Sequence, residues 1–343
     1  MKPLAKSPFS QGLFHFSSKP FLRVVMQNIF FKRALAGFGL LLLLAGCAST
    51  PQTTFLLAQP PADLPAKVEL TTVPFFPQED YQCGPAALAT ALVHAGVKTT
   101  PNELTEQVYL PQRKGSLQVE LLGATRRHGM VAYRLRPQLE SVLRELSGGE
   151  PVVVLQNLRL KMAPQWHYAV VVGYDLPRNR LVLRSGTKER LELTFSQFER
   201  TWADGEHWAI VVLPPSQVPV TATEEAYLSA VAALERVAPG AALQGYQTAL
   251  KRWPGSLAAY IGIGNAAYGL KDLSRAESAY RSAVAAHPEA GDAWNNLAQV
   301  LFERGNAKEA QAAAQRAVAL GGPRRVQYEE TLKEVSGRAT SPL

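Results

Sequence analysis

Cysteine is almost absent from this chain: only Cys47 and Cys83 occur in 343 residues. There is no C-x-x-C pair, no H-E-x-x-H and no G-x-x-x-x-G-K-[ST], and the six histidines are scattered. Those gaps remove the usual sequence grounds for a zinc centre or a phosphate-cradling loop, and no metal or other cofactor is expected. Long apolar runs are missing too. The run at 34–44 is 11 residues, against the roughly 20 that a membrane-spanning helix needs. "GIGNAAYG" (262–269) has the glycines of a dinucleotide loop but no preceding strand pattern, and close helix packing accounts for it better. Acids are absent from residues 1–46, which hold Lys2, Lys6, Lys19, Arg23, Lys32 and Arg33. Without those six cations the formal charge of +8 falls to +2. Most of the basic excess therefore belongs to that segment, and a nucleic-acid partner is not expected.

What is present at the N-terminus has the form of a secretory signal. Lys32 and Arg33 precede the short apolar run, and small residues follow it. "Leu44-Ala45-Gly46-Cys47" resembles the lipobox of bacterial lipoproteins. The resemblance implies a lipidated Cys47 as the first residue of the mature chain. Ala48 stands where Asp would favour inner-membrane retention, which implies an outer-membrane lipoprotein facing the periplasm. Met26 would give a more compact signal, so residues 1–25 are expected to be untranslated in the cell. Cys83 is then the one free thiol in an oxidising compartment, a candidate reactive group. The competing reading is a buried cysteine packed as a small hydrophobe.

Composition divides the remainder. Residues 47–66, rich in Pro, Ala, Thr and Gln, read as a tether. A mixed α and β region occupies 67–213. "PPSQVPVTA" (214–222) reads as a linker, and 223–322 is Ala-rich with helical spacing. A 34-residue step relates Pro254 to Pro288, Tyr260 to Trp294, Tyr246 to Tyr280, and Ala242 to Ala276 and Ala310. This period resembles the tetratricopeptide repeat, in three units with the first degenerate. It implies an all-α solenoid that binds a protein partner on its concave face. Residues 323–343 read as a terminal helix and tail.

Within 67–213, helical patterns come first, at 83–96, 102–110, 117–129 and 139–149. Val-rich strands follow at 151–157, 167–175, 180–185 and 207–214, with "LPRN" (176–179) as a hairpin turn. That order predicts an α+β domain. It places Cys83 at a helix start, where Gly84 allows close approach and Pro85 suits a first turn. The positive end of the helix dipole is expected to lower the thiol pKa.

A nucleophilic cysteine needs a base. His94 lies about 16 Å along the same helix and is excluded. His128 sits in a charged helix end. His167 heads a Val-rich strand and is the first candidate, with His207 as runner-up. "PQEDYQCGPAALATAL" together with "WHYAVVVGYD" resembles the bacteriocin-processing C39 and C39-like cysteine peptidases, over about residues 70–213. The resemblance implies a papain-like fold with Cys83 as nucleophile and His167 as base. It also implies a glutamine that helps hold the oxyanion. Gln78 is that residue, one position short of the usual spacing, and Gln82 is a weaker alternative. The family's orienting Asp or Asn falls on Ser185 here. Thr187 and Glu189 are alternatives to it, and Asp175 reads as the start of the turn. The expected activity is hydrolysis of a protein or peptide substrate through an acyl-enzyme. The rival is a catalytically weak or inactive peptide-binding scaffold.

Overall fold

The computed structural model describes residues 50–78 and 82–338. The signal segment, Cys47 and Ala48 lie outside the described residues.

An antiparallel sheet organises the first half of the described chain. Its strands are β1 (Lys67–Glu69), β2 (Val131–Arg134), β3 (Val152–Asn157), β4 (Trp166–Asp175), β5 (Arg180–Ser185), β6 (Lys188–Thr194) and β7 (Ala209–Leu213). The order is β2-β7-β3-β4-β5-β6. β4 is the long central strand. β3 pairs with its first half and β1 with its second, while β5 runs along its other edge. Gly173 allows β1 its close approach, since a Cβ there would lie 2.6 Å from the Val68 carbonyl oxygen. The β4–β5 turn forms as its residues suggest. Asp175 Oδ1 accepts the Arg178 N–H at 3.0 Å, and Asn179 takes the left-handed conformation at φ 54°.

Strand alternation gives the sheet two apolar faces. Val153, Val170, Val172 and Val182 face one cluster, which also contains Leu88, Leu92, Leu104 and Leu121 from α2 (Cys83–His94), α3 (Pro101–Val108) and α4 (Gln118–Arg127). Small residues from Gly84 to Ala91 let α2 settle closely on the sheet, and its residues 84–92 are all buried. A capping box of Thr100 and Glu103 starts α3. Val152, Val154, Ala169, Val171, Leu181 and Leu183 face the opposite cluster, with Leu143, Phe198 and Trp202. Those last three come from α5 (Leu139–Ser147) and α6 (Phe195–Ala203). The helices therefore cover both faces, and β2 and α6 interrupt the expected order of helices followed by strands.

Residues 47–66 are not a free tether where they are described. Residues 51–58 form α1 (Pro51–Ala58), with Thr53 and Leu56 buried. The buried Glu199 carboxylate of α6 accepts the Gln52 and Thr53 N–H groups at 3.0 and 2.7 Å. Gln52 also bridges to α5, accepting the Leu139 N–H and donating to the Pro137 carbonyl. Residues 214–222 are docked as well. Buried Glu145 accepts the Thr221 N–H at 2.8 Å and its hydroxyl at 2.5 Å.

The helical half follows as α7 (Glu224–Ala232), α8 (Pro239–Arg252), α9 (Leu257–Gly269), α10 (Leu273–Ala286), α11 (Gly291–Glu303), α12 (Ala307–Leu320) and α13 (Arg325–Arg338). The 34-residue step recurs as contacts. The Tyr260 hydroxyl donates to the Pro254 carbonyl at 3.2 Å, and the Trp294 indole donates to the Pro288 carbonyl at 2.9 Å. Tyr227, Leu228 and Val231 of α7 share a cluster with Tyr133 of β2 and Tyr246 of α8. The first helices of the array and the sheet thus bury one continuous core.

Candidate active site

α2 begins at Cys83, with Gln82 as its N-cap and no side-chain cap bond. Gly84 is required there, because a Cβ would lie 2.2 Å from the Ser116 hydroxyl oxygen. The half-buried Cys83 side chain packs against the α2–α4 face of the sheet. The predicted lowering of its pKa is not what the structure supports. Burial pushes the Cys83 thiol up, and this outweighs the main-chain N–H groups of Tyr168, Gly84 and Cys83 that favour the thiolate. The helix start supplies donors as expected, but the sulfur is desolvated by the apolar wall behind it.

The Tyr168 N–H against the sulfur fixes where the thiol sits. Tyr168 directly follows His167, at the start of β4. His167 Nε2 lies 2.9 Å from Ser185 Oγ at the end of β5. The next residue, Gly186, accepts the Gln78 main-chain N–H at 3.1 Å. The start of β4 thus lies against Cys83 through Tyr168, while the end of β5 ties Ser185 to His167 and Gly186 to Gln78. Burial draws the His167 pKa down to about 4, so the imidazole is neutral at pH 7. The resting pair is a thiol and a neutral imidazole.

With Nε2 engaged by the Ser185 hydroxyl, Nδ1 is the nitrogen left to receive a proton. In that tautomer Nε2–H donates to Ser185 Oγ. Ser185 is the residue that contacts His167, and Asp175 is occupied in its turn. Glu189 offers its carbonyl to Arg184 at 2.6 Å. Gln78 has its Oε1 buried with no hydrogen-bond partner.

The other histidines have separate tasks. His94 Nε2 bonds the Gly149 carbonyl oxygen at 3.1 Å, and His128 faces Gln107. His207 stacks edge-on against Trp202 with centroids 4.8 Å apart. Sequence reasoning missed Arg184 and Ser116. Buried Arg184 clamps the Val73 and Glu189 carbonyls beside the site, and the Ser116 hydroxyl is buried without a partner behind Gly84. A lone Arg in "RLVLRS" carries a faint signal, since alternation aims it at the same face as Val182. Ser116 carries none. Among the described residues, no group of three or more His, Cys, Asp or Glu could hold a metal ion.

The Peptidase_C39 like family profile matches residues 70–207, and the tetratricopeptide repeat profile matches 227–285 and 261–324. No curated protein matches the chain. Among solved structures, a putative C39-like peptidase from Bacillus anthracis is similar at 19% identity and TM-score 0.37. It covers 43% of this chain and 97% of that one. The peptidase domain of Streptococcus ComA, a bifunctional ABC transporter of a quorum-sensing pathway, is similar at 21% identity and TM-score 0.35. It covers 41% of this chain and 98% of that one. A thermophilic tetratricopeptide-repeat protein of Thermus thermophilus is similar at 20% identity and TM-score 0.30, covering 33% of this chain and 66% of that one. The chain therefore joins a C39-like peptidase domain to an array of tetratricopeptide repeats.

Proposed function

We propose that this chain is a cysteine peptidase of the bacterial envelope, anchored by lipid at Cys47 and facing the periplasm from the outer membrane. One observation carries the catalytic reading: the Cys83 sulfur lies against the N–H of the residue next to His167, and His167 in turn contacts Ser185. His167 Nδ1 takes the thiol proton as the sulfur attacks the scissile carbonyl carbon. The N–H groups at the start of α2, with the Gln78 amide, face the oxyanion. The imidazolium then protonates the leaving amine. Water, deprotonated by His167, hydrolyses the thioester and frees the sulfur. The repeats recruit the protein substrate or a partner, and the anchor confines the reaction to the membrane surface.

A second reading has its own support. A hydroxyl stabilises imidazolium less than a carboxylate does, and burial keeps both members of the pair neutral. A domain that binds a peptide without cutting it fits those facts. Envelopes containing wild type, Cys83→Ala or His167→Ala separate the two readings by mass spectrometry of new amine termini. Termini produced only by wild type establish the peptidase. Equal capture of the same peptides by all three proteins, with no new termini, establishes the binder.

A further inference from the structure

The β3–β4 loop, "LRLKMAPQ" (158–165), puts its apolar side chains in water. Leu160 is 72% exposed, Met162 89% and the following Trp166 51%. The loop is nevertheless firmly built. Asn157 Oδ1 accepts the Arg159 and Gln165 N–H groups at 3.1 and 2.9 Å, and the Leu158 N–H reaches the Gln165 carbonyl at 2.9 Å. A loop this well satisfied, with its large apolar groups held outward, is arranged to meet another surface. Arg159 and Lys161 alternate with Leu158, Leu160 and Met162. Lys161 pairs with Asp204 at 3.3 Å, whereas Arg159 and the nearby Arg200 have no ion-pair partner among the described residues.

The loop shares α6 with the N-terminal helix α1. Ser196, Arg200 and Asp204 lie at i, i+4 and i+8, one stripe along α6. Thr50, just ahead of α1, bonds Ser196 at 3.2 Å, and the loop side reaches Asp204 through Lys161 and Asn157. α1 exposes Phe55, at 63%, beside an apolar groove of about 330 Å³. Cys47 is three residues ahead of Thr50 in the sequence, a chain reach of no more than about 10 Å from Thr50.

We propose that the 158–166 loop, the exposed Arg200 of α6 and the outer side of α1 form one bilayer-docking face. Leu160, Met162, Trp166 and Phe55 enter the interface, while Arg159 and Arg200 meet anionic headgroups. This proposal rests on the anchored reading for what brings the face to the bilayer. An apolar peptide could cover the loop alone. The bilayer is favoured because two segments about 100 residues apart flank one stripe, and Thr50, which bonds that stripe, is only three residues after Cys47 in the sequence. Because Trp166 begins β4 and His167 follows it, docking holds the start of that strand close to the bilayer surface. The substrate class is then polypeptide presented at the membrane.

The test uses the full chain purified from membranes and reconstituted in phosphatidylethanolamine–phosphatidylglycerol vesicles that carry brominated lipid. Subtracting the emission of Trp166→Phe isolates the Trp166 signal. That signal should lose roughly half its intensity to brominated lipid, and most of the loss should vanish in a Leu160→Glu, Met162→Glu double variant. Mass of the N-terminal fragment reads acylation of Cys47 independently. An acylated chain with unquenched Trp166, or quenching unchanged by the double variant, overturns the docking face and leaves the anchor standing. Quenching in a chain without acyl mass removes the anchor and keeps the face. If an apolar peptide shields Trp166 from an aqueous quencher while brominated lipid does not quench it, the loop is a peptide site and the proposal fails.

Discussion

The two halves of this molecule reach a dry interior by opposite means. The sheet half fills its interior with bulk: Trp202, Phe195, Phe198, Tyr133 and Tyr174 are all buried, with branched aliphatic residues between them. The repeat array instead makes room. A Cβ at Gly264 would lie 2.3 Å from the Tyr280 ring, and one at Gly262 would lie 2.4 Å from the Tyr246 ring. Ala276, Ala283, Ala298, Ala310 and Ala317 continue that pattern of small residues against flat ones. Bulk around a sheet leaves strand and helix ends free to carry chemistry, and Cys83, His167 and Ser185 all stand at such ends. Close-packed helix pairs leave long outer faces for a partner. The halves also differ in what they bury. The sheet half buries the carboxylates Glu145 and Glu199, while the array buries Thr248, Ser256, Asn295 and Thr331 and tyrosines such as Tyr280, whose hydroxyl donates to the Asn265 side-chain oxygen.

The largest test of this contrast is Trp202→Ala. Removing the whole indole from the sheet core should cost about 3–5 kcal/mol. Because the sheet and the first helices of the array share one core, calorimetry should show one lowered transition. Two separated transitions, with the upper one unmoved, would break the shared-core account. Acid comes next. The folded-state pKa of His167, about 4, lies below the ordinary 6.5. Between those values the unfolded chain binds more protons, so stability falls as pH drops from about 6.5 toward 4. The size is about 3 kcal/mol, and His167→Phe should remove it. Glu150 works the other way, because burial, and then Glu145, raise its pKa to about 7. It favours the folded state at low pH and loses that contribution as pH climbs through 7. Urea titrations across pH 4–8 on His167→Phe and Glu150→Gln separate the two slopes. Smaller still are two glycines of α9. Gly264→Ala should destabilise by about 1–3 kcal/mol through overpacking against Tyr280. Gly269→Ala meets nothing within 4 Å and should stabilise by up to about 1 kcal/mol. Equal effects from the two would mean that backbone entropy, not packing, governs the array.

Local pattern carried much of this into the sequence. The start of α2 at Cys83, the strands around His167 and the 34-residue step were all visible, because periodicity and turn residues are written within a few positions of one another. What could not be read depended on distant partners. α1 looked like a tether because Pro, Ala, Thr and Gln dominate it, and its stabilising carboxylate, Glu199, is 147 residues away. β6, "KERLELT", is mostly charged and half-exposed, as an outer strand is, so it gave no apolar run to find. α6 did carry a signal, the Thr194–Gln197 capping box, that could have announced it. The thiol pKa was misjudged for a related reason. A helix N-terminus is a local feature, whereas the desolvation that opposes it comes from the strands and helices assembled around the sulfur.

Ser185 is where the contrast between bulk and chemistry can be sharpened most finely, because a change there should barely move stability. Ser185→Ala deletes one hydrogen bond at a strand end, worth about 1 kcal/mol. Its effect belongs instead to the proton inventory of the pair. The hydroxyl holds Nε2 at 2.9 Å and so fixes the orientation of the ring; when Nε2 carries the hydrogen, Nδ1 is free to act as base. Without it the imidazole loses the contact that orients it, and alkylation of Cys83 at neutral pH should slow about tenfold. Ser185→Asp should act in the opposite direction. A carboxylate at this position, where the serine oxygen lies 2.9 Å from Nε2, would stabilise imidazolium, raise the His167 pKa toward neutrality and thereby draw the Cys83 thiol down. Alkylation below pH 7 should then accelerate, and His167→Ala in the same chain should abolish the gain. If the Asp variant alkylates with an unchanged pH profile, the contact between His167 and Ser185 does not govern the thiol, and burial alone sets its reactivity.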